Sequence, residues 1–167
     1  TISGSTNLTI GSTNSSTVTF ENGSCTGQNF PAFFAYKSTG TQSISASTYT
    51  KVTFDAELYD TDSAFDSNKF TVPSGKAGIY CISGQVRDDF ENGYTRQLAI
   101  YKNGSILARS REQNLSTTRH YTVVSANVRL AASDYIELYI EHNSTGARNI
   151  DGTAELETRL MGYRIGS

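Results

Sequence analysis

A chain of 167 residues is long enough for one domain with a proper core and too short for two ordinary ones. With a net charge of −2 and a pI near 5.6, it offers no basic field to hold a phosphate backbone, which excludes nucleic acid as an expected partner. No run approaches the roughly 20 apolar residues that cross a bilayer, so membrane insertion is not expected, and a composition rich in Thr, Ser, Tyr and Gly without Trp favours an all-β fold over packed helices.

The chain begins Thr1-Ile2-Ser3-Gly4, with neither an initiator Met nor a signal peptide, as a fragment of something longer would. Residues 1–29 are dominated by Ser, Thr, Asn and Gly and cannot make a core alone. Leu8-Thr9-Ile10 and Val18-Thr19-Phe20 nevertheless place two apolar residues on one face of a short strand, with Gly11-Ser12-Thr13-Asn14 between them. Such a repeat suits a β-rich stem in which several chains wrap together and bury the stripe. A linker without fixed structure is the alternative reading of the same composition. Residues 30–167 then form the head.

From Phe30 onward, turn clusters separate strand-like runs at sandwich spacing. Strands are expected near Pro31–Tyr36, Lys51–Phe54, Lys69–Val72, Gly78–Arg87, Thr95–Lys102, Ile106–Ser110, His120–Leu130, Asp134–Glu141 and Ala154–Ile165. In Gly78–Arg87 the set Tyr80, Ile82, Gly84 and Val86 shares a face. Asn103-Gly104 between two such runs predicts a tight two-residue hairpin, because its turn needs φ > 0 twice. In His120–Leu130 the inward set is Val124, Ala126, Val128 and Leu130. Alternation is clearest in Asp134–Glu141, where Ile136, Leu138 and Ile140 oppose Tyr135, Glu137, Tyr139 and Glu141. The last run differs: Leu156, Thr158 and Leu160 occupy one face while Met161, Tyr163 and Ile165 follow on the other. Both faces of its end are apolar, which a single copy would leave wet.

Cys25 and Cys81 allow one disulfide, but Cys81 lies mid-strand in Ile79-Tyr80-Cys81-Ile82, where a buried free thiol packs as a small hydrophobe. A free thiol is the favoured reading, and it suits folding in a reducing compartment.

Several phrases carry a family resemblance. Phe30-Pro31-Ala32-Phe33-Phe34-Ala35-Tyr36 is similar to an opening P-A-F-x-A strand, and Lys51-Val52-Thr53-Phe54-Asp55 to V-x-F-D. Phe65 to Pro73 is similar to Y-D-x-x-x-x-F-T-x-P, Gly78-Ile79-Tyr80 to G-x-Y, and Tyr101-Lys102-Asn103-Gly104 to x-K-N-G. Ser133-Asp134-Tyr135-Ile136-Glu137-Leu138 follows G-D-x-V-x-L with Ser in place of Gly, and Gly162-Tyr163 stands where the closing S-G-F falls. Over residues 30–166 the ordered set resembles the globular heads of complement C1q and tumour necrosis factor, especially the versions found in bacteriophage fibres and bacterial collagen-like proteins. The resemblance implies an antiparallel ten-strand jelly roll, a homotrimer around a threefold axis and N-termini leading into a stalk. It further implies exposed loops that contact partners. The expected role is attachment of a viral fibre tip, on the virion surface or otherwise extracellular, to a host-cell receptor that is a glycan or a protein. A secreted ligand of complement or cytokine type, or a purely structural trimerisation cap, are the alternatives.

On that trimer, Phe34, Met161, Tyr163 and Ile165 are assigned to the subunit interface, and Arg119 and His120 approach the axis. There a trimer would gather an anion site or a three-His metal site; two solvated residues at a strand start are the plainer reading. The calcium ligands of complement-type heads have no counterpart in Gln113-Asn114-Leu115-Ser116-Thr117-Thr118. Asp60, Asp62 and Asp66 offer hard oxygen donors for calcium, as does the acidic loop Arg87-Asp88-Asp89-Phe90-Glu91-Asn92, although neither follows the EF-hand order. Such residues more often cap their own turns. Tyr94, Tyr101, Tyr121, Tyr135 and Tyr139 are the ligand-binding candidates, because an outward Tyr joins a flat apolar ring to a hydroxyl. Asn7, Asn14, Asn22, Asn103, Asn114 and Asn143 each begin an N-x-Ser/Thr glycosylation triplet. No nucleophile elbow, zincin helix or phosphate loop occurs, and His120 and His142 have no patterned partner, so no enzyme activity is expected.

Overall fold

The computed structural model describes residues 30–88, 93–113, 119–153 and 155–166. The proposed stem, residues 1–29, lies outside them, as does Cys25. The described residues form thirteen strands and no helix. They are β1 (Ala32–Tyr36), β2 (Thr41–Ile44), β3 (Thr50–Lys51), β4 (Ala56–Asp60), β5 (Phe65–Asp66), β6 (Lys69–Thr71) and β7 (Gly78–Asp88). Then follow β8 (Thr95–Lys102), β9 (Ser105–Gln113), β10 (His120–Leu130), β11 (Tyr135–His142), β12 (Arg148–Asp151) and β13 (Arg159–Gly166).

All pairings are antiparallel, and they build two sheets. Sheet A has seven strands. One edge of β7 is paired along its whole length by β10, from Gly78↔Leu130 to Asp88↔His120. Its other edge takes β13 as far as Gln85 and β12 at Asp88. Beyond β13 lie β1 and the edge strand β4, and beyond β12 lies β2. Sheet B runs β5-β6-β11-β8-β9, with β3 paired to the far end of β11.

The alternation read from β7, β10 and β11 becomes the interface between the sheets. Tyr80, Ile82, Val86, Val124 and Leu130 from sheet A meet Leu98, Ile100, Ile136, Leu138 and Ile140 from sheet B, all buried. Phe33 of β1 stacks on Phe70 of β6 with ring centroids 4.3 Å apart and 12° between planes, tying the sheets at one end. Burying such a side chain contributes about 1.5–3 kcal/mol. Gly162 is required where β13 passes this cluster: a Cβ there would sit 2.5 Å from Ile82 Cδ1 and 2.9 Å from Phe33 Cε1.

Several expectations need correction. The run Lys51–Phe54 is a strand only at Thr50–Lys51, because Val52 turns into the core while Phe54 N–H donates to Asn68 Oδ1 at 2.7 Å. The terminal run Ala154–Ile165 becomes strand only from Arg159 (β13), after a turn in which Leu156 adopts φ +59°. Strands β2, β4, β5 and β12 fall outside the expected runs. Cys81 is a free thiol but only half-buried, since it alternates with Tyr80 and Ile82 and therefore faces away from the core.

The Asn103-Gly104 hairpin joins β8 to β9 with φ of +50° and +78°. Asp134 clasps it. Its carboxylate accepts from Asn103 Nδ2 at 2.7 Å, from Ala131 N–H at 2.8 Å and from Lys102 Nζ at 2.8 Å. The Lys102 bond chiefly, then the Asn103 and Ala131 bonds, hold its pKa at about 2 against an ordinary 3.8. A depressed carboxylate contributes stability that is whole above its unfolded pKa and lost as pH falls through the folded one. Denaturant midpoints should therefore drop between about pH 4 and pH 2, and Asp134→Asn should flatten that part of the profile. An unchanged acid slope in the variant would show that this clasp is not formed in solution.

Candidate functional site

Antiparallel strands that cover a core on one side normally turn polar residues outward. Sheet A does not. Register places Ala32, Tyr163 and Cys81 in one outward row; Phe34, Met161 and Ser83 in the next; and Tyr36, Arg159, Gln85 and Val123 in a third. Tyr59 of β4 lies opposite Phe34, with ring centroids 5.9 Å apart, and Tyr36 is 6.4 Å from Phe34 on the other side. Ile165, at the register shift near the end of β13, continues the Tyr163 side by alternation. Tyr163 and Ile165 are about half exposed, at 50% and 51%, and Val123 and Tyr59 at 47% and 42%. With Phe34 and Met161, the exposed Tyr59, Tyr163 and Ile165 make the outward face of β4, β1 and β13 an apolar patch of the kind that marks an interface, and Val123 adds an apolar residue beyond Ser83 and Gln85. The Tyr163 phenol is pushed up by the neighbouring Cys81 thiol, first through charge and then through their hydrogen bond.

The patch has a polar end. Arg87 is buried with Nη1 3.3 Å from Glu157 Oε2 and 3.5 Å from Asp151 Oδ2. Tyr121 donates its hydroxyl to Glu157 Oε1, and Thr153 Oγ1 donates to Oε2 at 2.7 Å. The Tyr121 bond is the main reason the Glu157 carboxyl is held below its ordinary value. Arg159 donates to Gln85 Oε1 at 3.0 Å and to the Leu156 carbonyl at 2.8 Å.

Sheet A thus brings Phe34, Met161, Tyr163 and Ile165 onto one surface, and Tyr121 joins them. Arg119 is exposed and His120 half-buried at the start of β10, beside the polar end of the same sheet. Tyr36, Tyr59, Cys81 and Val123 belong to this surface and escaped the sequence reading. Val123 carried a usable signal: it is an apolar residue out of phase with Val124 and Ala126.

The other tyrosines lie elsewhere. Tyr101 and Tyr139 stand on the outer face of sheet B with ring centroids 4.2 Å apart, and Tyr49 adds an edge contact to Tyr101 at 5.9 Å. Beside them Lys51 Nζ pairs with the buried Glu137 at 2.7 Å. Tyr135 holds Lys69 Nζ 5.2 Å from its ring centroid. Tyr94 precedes β8, seven positions from Tyr101, or roughly 23 Å along an extended strand. The five tyrosines are therefore not one site.

The acidic candidates are occupied by their own turn. Asp60 accepts from Phe65 N–H at 2.7 Å and Asp62 N–H at 3.4 Å; Asp62 accepts from Thr61 Oγ1, and Asp66 from Ser67 Oγ. Asp62 and Asp66 line a cleft of about 290 Å³, but Lys69 lines it too. Among the described residues no three His, Cys, Asp or Glu side chains are grouped to hold a metal ion. Arg87 and Asp88, expected in an acidic loop, are buried residues at the end of β7. His142 and Ser144 are buried as well. His142 Nε2 lies 3.0 Å from the Ile44 carbonyl, and Ser144 Oγ 2.5 Å from Nδ1, which pins the loop after β11 to β2.

No protein-family model matches this sequence, and no curated protein does. Solved structures do resemble it. The globular domain of zebrafish complement 1qA shares 18% identity over 81% of this chain and 97% of that one, with a TM-score of 0.58. Eiger TNF from S. frugiperda shares 15% over 83% and 94%, at 0.63. Murine APRIL shares 15% over 82% and 100%, at 0.60. At such identities the likeness is one of fold: this chain is an all-β antiparallel sandwich with the C1q/TNF-like jelly-roll fold.

Proposed function

We propose that the chain is the non-catalytic attachment head of a homotrimeric fibre, carried on a virion surface or otherwise outside the cell, that binds a receptor on a host cell. The observation that carries this reading is the apolar outer face of sheet A. A lone copy leaves Tyr59, Val123, Tyr163 and Ile165 in water, whereas neighbouring copies of the same chain would cover them. The number three comes from the resemblance to complement and tumour-necrosis-factor heads. Three linked heads on one stalk raise avidity without new contacts. The test is sedimentation equilibrium, with an expected mass three times the 18.2 kDa of one chain, followed by competition between the purified head and the whole virus for host cells. A monomeric mass, or no competition, would overturn the reading.

The secreted-ligand alternative draws on the glycosylation triplets, and two of these are committed to structure. Asn103 donates to Asp134 and accepts from Tyr135 N–H at 2.9 Å, while Asn143 Oδ1 accepts from Thr95 N–H at 2.7 Å. A glycan on the Asn103 amide nitrogen would compete with its bond to Asp134 in the tight hairpin, which favours the fibre reading at that position; Asn143 is engaged through Oδ1, which a glycan leaves in place.

A further inference from the structure

We propose that the outer face of sheet B is a subsite for an acidic sugar, a pyranose carrying a carboxylate, stacked on Tyr101 and Tyr139 with its charge on Arg109 and Arg111. The inference rests on the attachment-head reading and names the ligand of that head.

The floor of the subsite is aromatic. Tyr139 lies directly across from Ala99, and Tyr101 across from Glu137, so the two rings meet diagonally over Ala99, which has no exposed surface. Tyr49 closes one side. Pyranose rings present patches of C–H to aromatic faces and hydroxyls to the groups around them, and phenol hydroxyls serve as both donor and acceptor.

The rim carries unbalanced charge. On β9, Arg109 stands opposite Ala99 and Arg111 opposite Gln97, so both project from the tyrosine side of the sheet. Both are exposed, and neither makes a hydrogen bond or ion pair with any described residue. Of the other charges on this face, Lys51 pairs with Glu137 at 2.7 Å and Lys69 lies over the Tyr135 ring, while Glu141 keeps its charge, accepts from the Gln97 amide at 2.7 Å and stands two strands away from Arg111 in the same row, so the two arginines still outnumber it. Two guanidinium groups two residues apart on one face, about 7 Å at strand spacing, repel each other until an anion joins them. A carboxylate fits the planar fork of arginine. Arg109 and Tyr139 are separated by two strand spacings, about 10 Å, which an extended arginine and one sugar ring span together.

A stacked nucleotide would use similar groups, but a polyphosphate backbone needs a continued basic track, and the chain as a whole is acidic. The outer faces of the two sheets point in opposite directions. Copies packed on sheet A therefore leave this face open on every head.

The experiment titrates 3′-sialyllactose, a glucuronic-acid disaccharide, lactose and a thymidine oligonucleotide separately into the purified head. Backbone amide NMR shifts are followed at Ala99, Tyr101, Arg109 and Tyr139. Either or both acidic sugars should move these resonances, with lactose at least about tenfold weaker. The double variant Arg109→Gln/Arg111→Gln, both on the surface, should keep the fold and bind acidic sugars about tenfold less well. Silence from both acidic sugars, an equal response to lactose or to the oligonucleotide, or full binding by the double variant would each overturn the subsite. Host-cell attachment that persists in the double variant would also overturn it while leaving the attachment reading intact. A wild-type head that binds the sugar yet is monomeric would do the reverse.

Discussion

Asp88→Ala should be the most damaging single truncation in the head, costing about 3–5 kcal/mol. Asp88 belongs to sheet A and Arg96 to sheet B, and the pair spans the sandwich at the end away from the phenylalanine stack. Asp88 has no exposed surface and Arg96 only 2%, with Arg96 Nη1 2.8 Å from Asp88 Oδ1. Glu112, itself partly exposed, approaches Arg96 Nη2 only to 3.8 Å. Removing Asp88 therefore leaves a guanidinium inside the protein with one distant counter-charge, and water cannot reach it to compensate. For a domain of this size the loss corresponds to a fall in melting temperature of roughly 10 °C. Urea unfolding is the measurement, and the double substitution Asp88→Leu/Arg96→Met should recover most of the loss, because an apolar pair has no desolvation to offset. A cost below about 1 kcal/mol for Asp88→Ala would mean that solvent reaches the pair.

That ion pair also marks where the sequence becomes hard to read. Arg87-Asp88-Asp89 looks like a solvated acidic turn, because charged residues are seldom buried. The burial of Asp88 depends on Arg96, which comes from the opposite sheet, and that of Arg87 on Glu157, seventy residues further along the chain. Where one strand faces a core and water, as β11 does, alternation alone identified the inward set Ile136, Leu138 and Ile140. Edge strands have no such constraint. In β4, Glu57, Leu58 and Tyr59 are all exposed, so no period exists to find, and Tyr59 was missed with it. Turn chemistry was legible at Asn103-Gly104 but not at Ser67-Asn68, whose φ angles of +52° and +60° make the same kind of hairpin without a glycine. The face of sheet A was half legible: β13 betrayed itself by being apolar on both sides and Val123 by standing out of phase with Val124 and Ala126, whereas Tyr36 joins the face only through the pairing of β1 with β13. The tyrosines could not be sorted between two opposite faces without knowing which strands share a sheet.

If the heads assemble as proposed, Tyr163→Ser should take the trimer apart. Tyr163 sits at the centre of the outward face of sheet A, between Ala32 and Cys81 in its row, and half of its surface is exposed in one copy. A buried tyrosine near the middle of an interface contributes about 2 kcal/mol or more. Three equivalent interfaces lose it together, about 6 kcal/mol in all, which moves the assembly equilibrium by roughly four powers of ten. The fold itself should survive, since the side chain does not touch the core and its neighbours Leu160 and Gly162 are unchanged. Val123→Asp, on a different strand of the same face, should act in the same sense by placing a charge where an apolar contact is expected. Sedimentation of the two variants beside the parent reads the result directly: both should lose trimer at concentrations where the parent keeps it, with unchanged far-ultraviolet circular dichroism. If both variants keep the parent's mass, sheet A is not where the copies meet, and its apolar face needs another occupant.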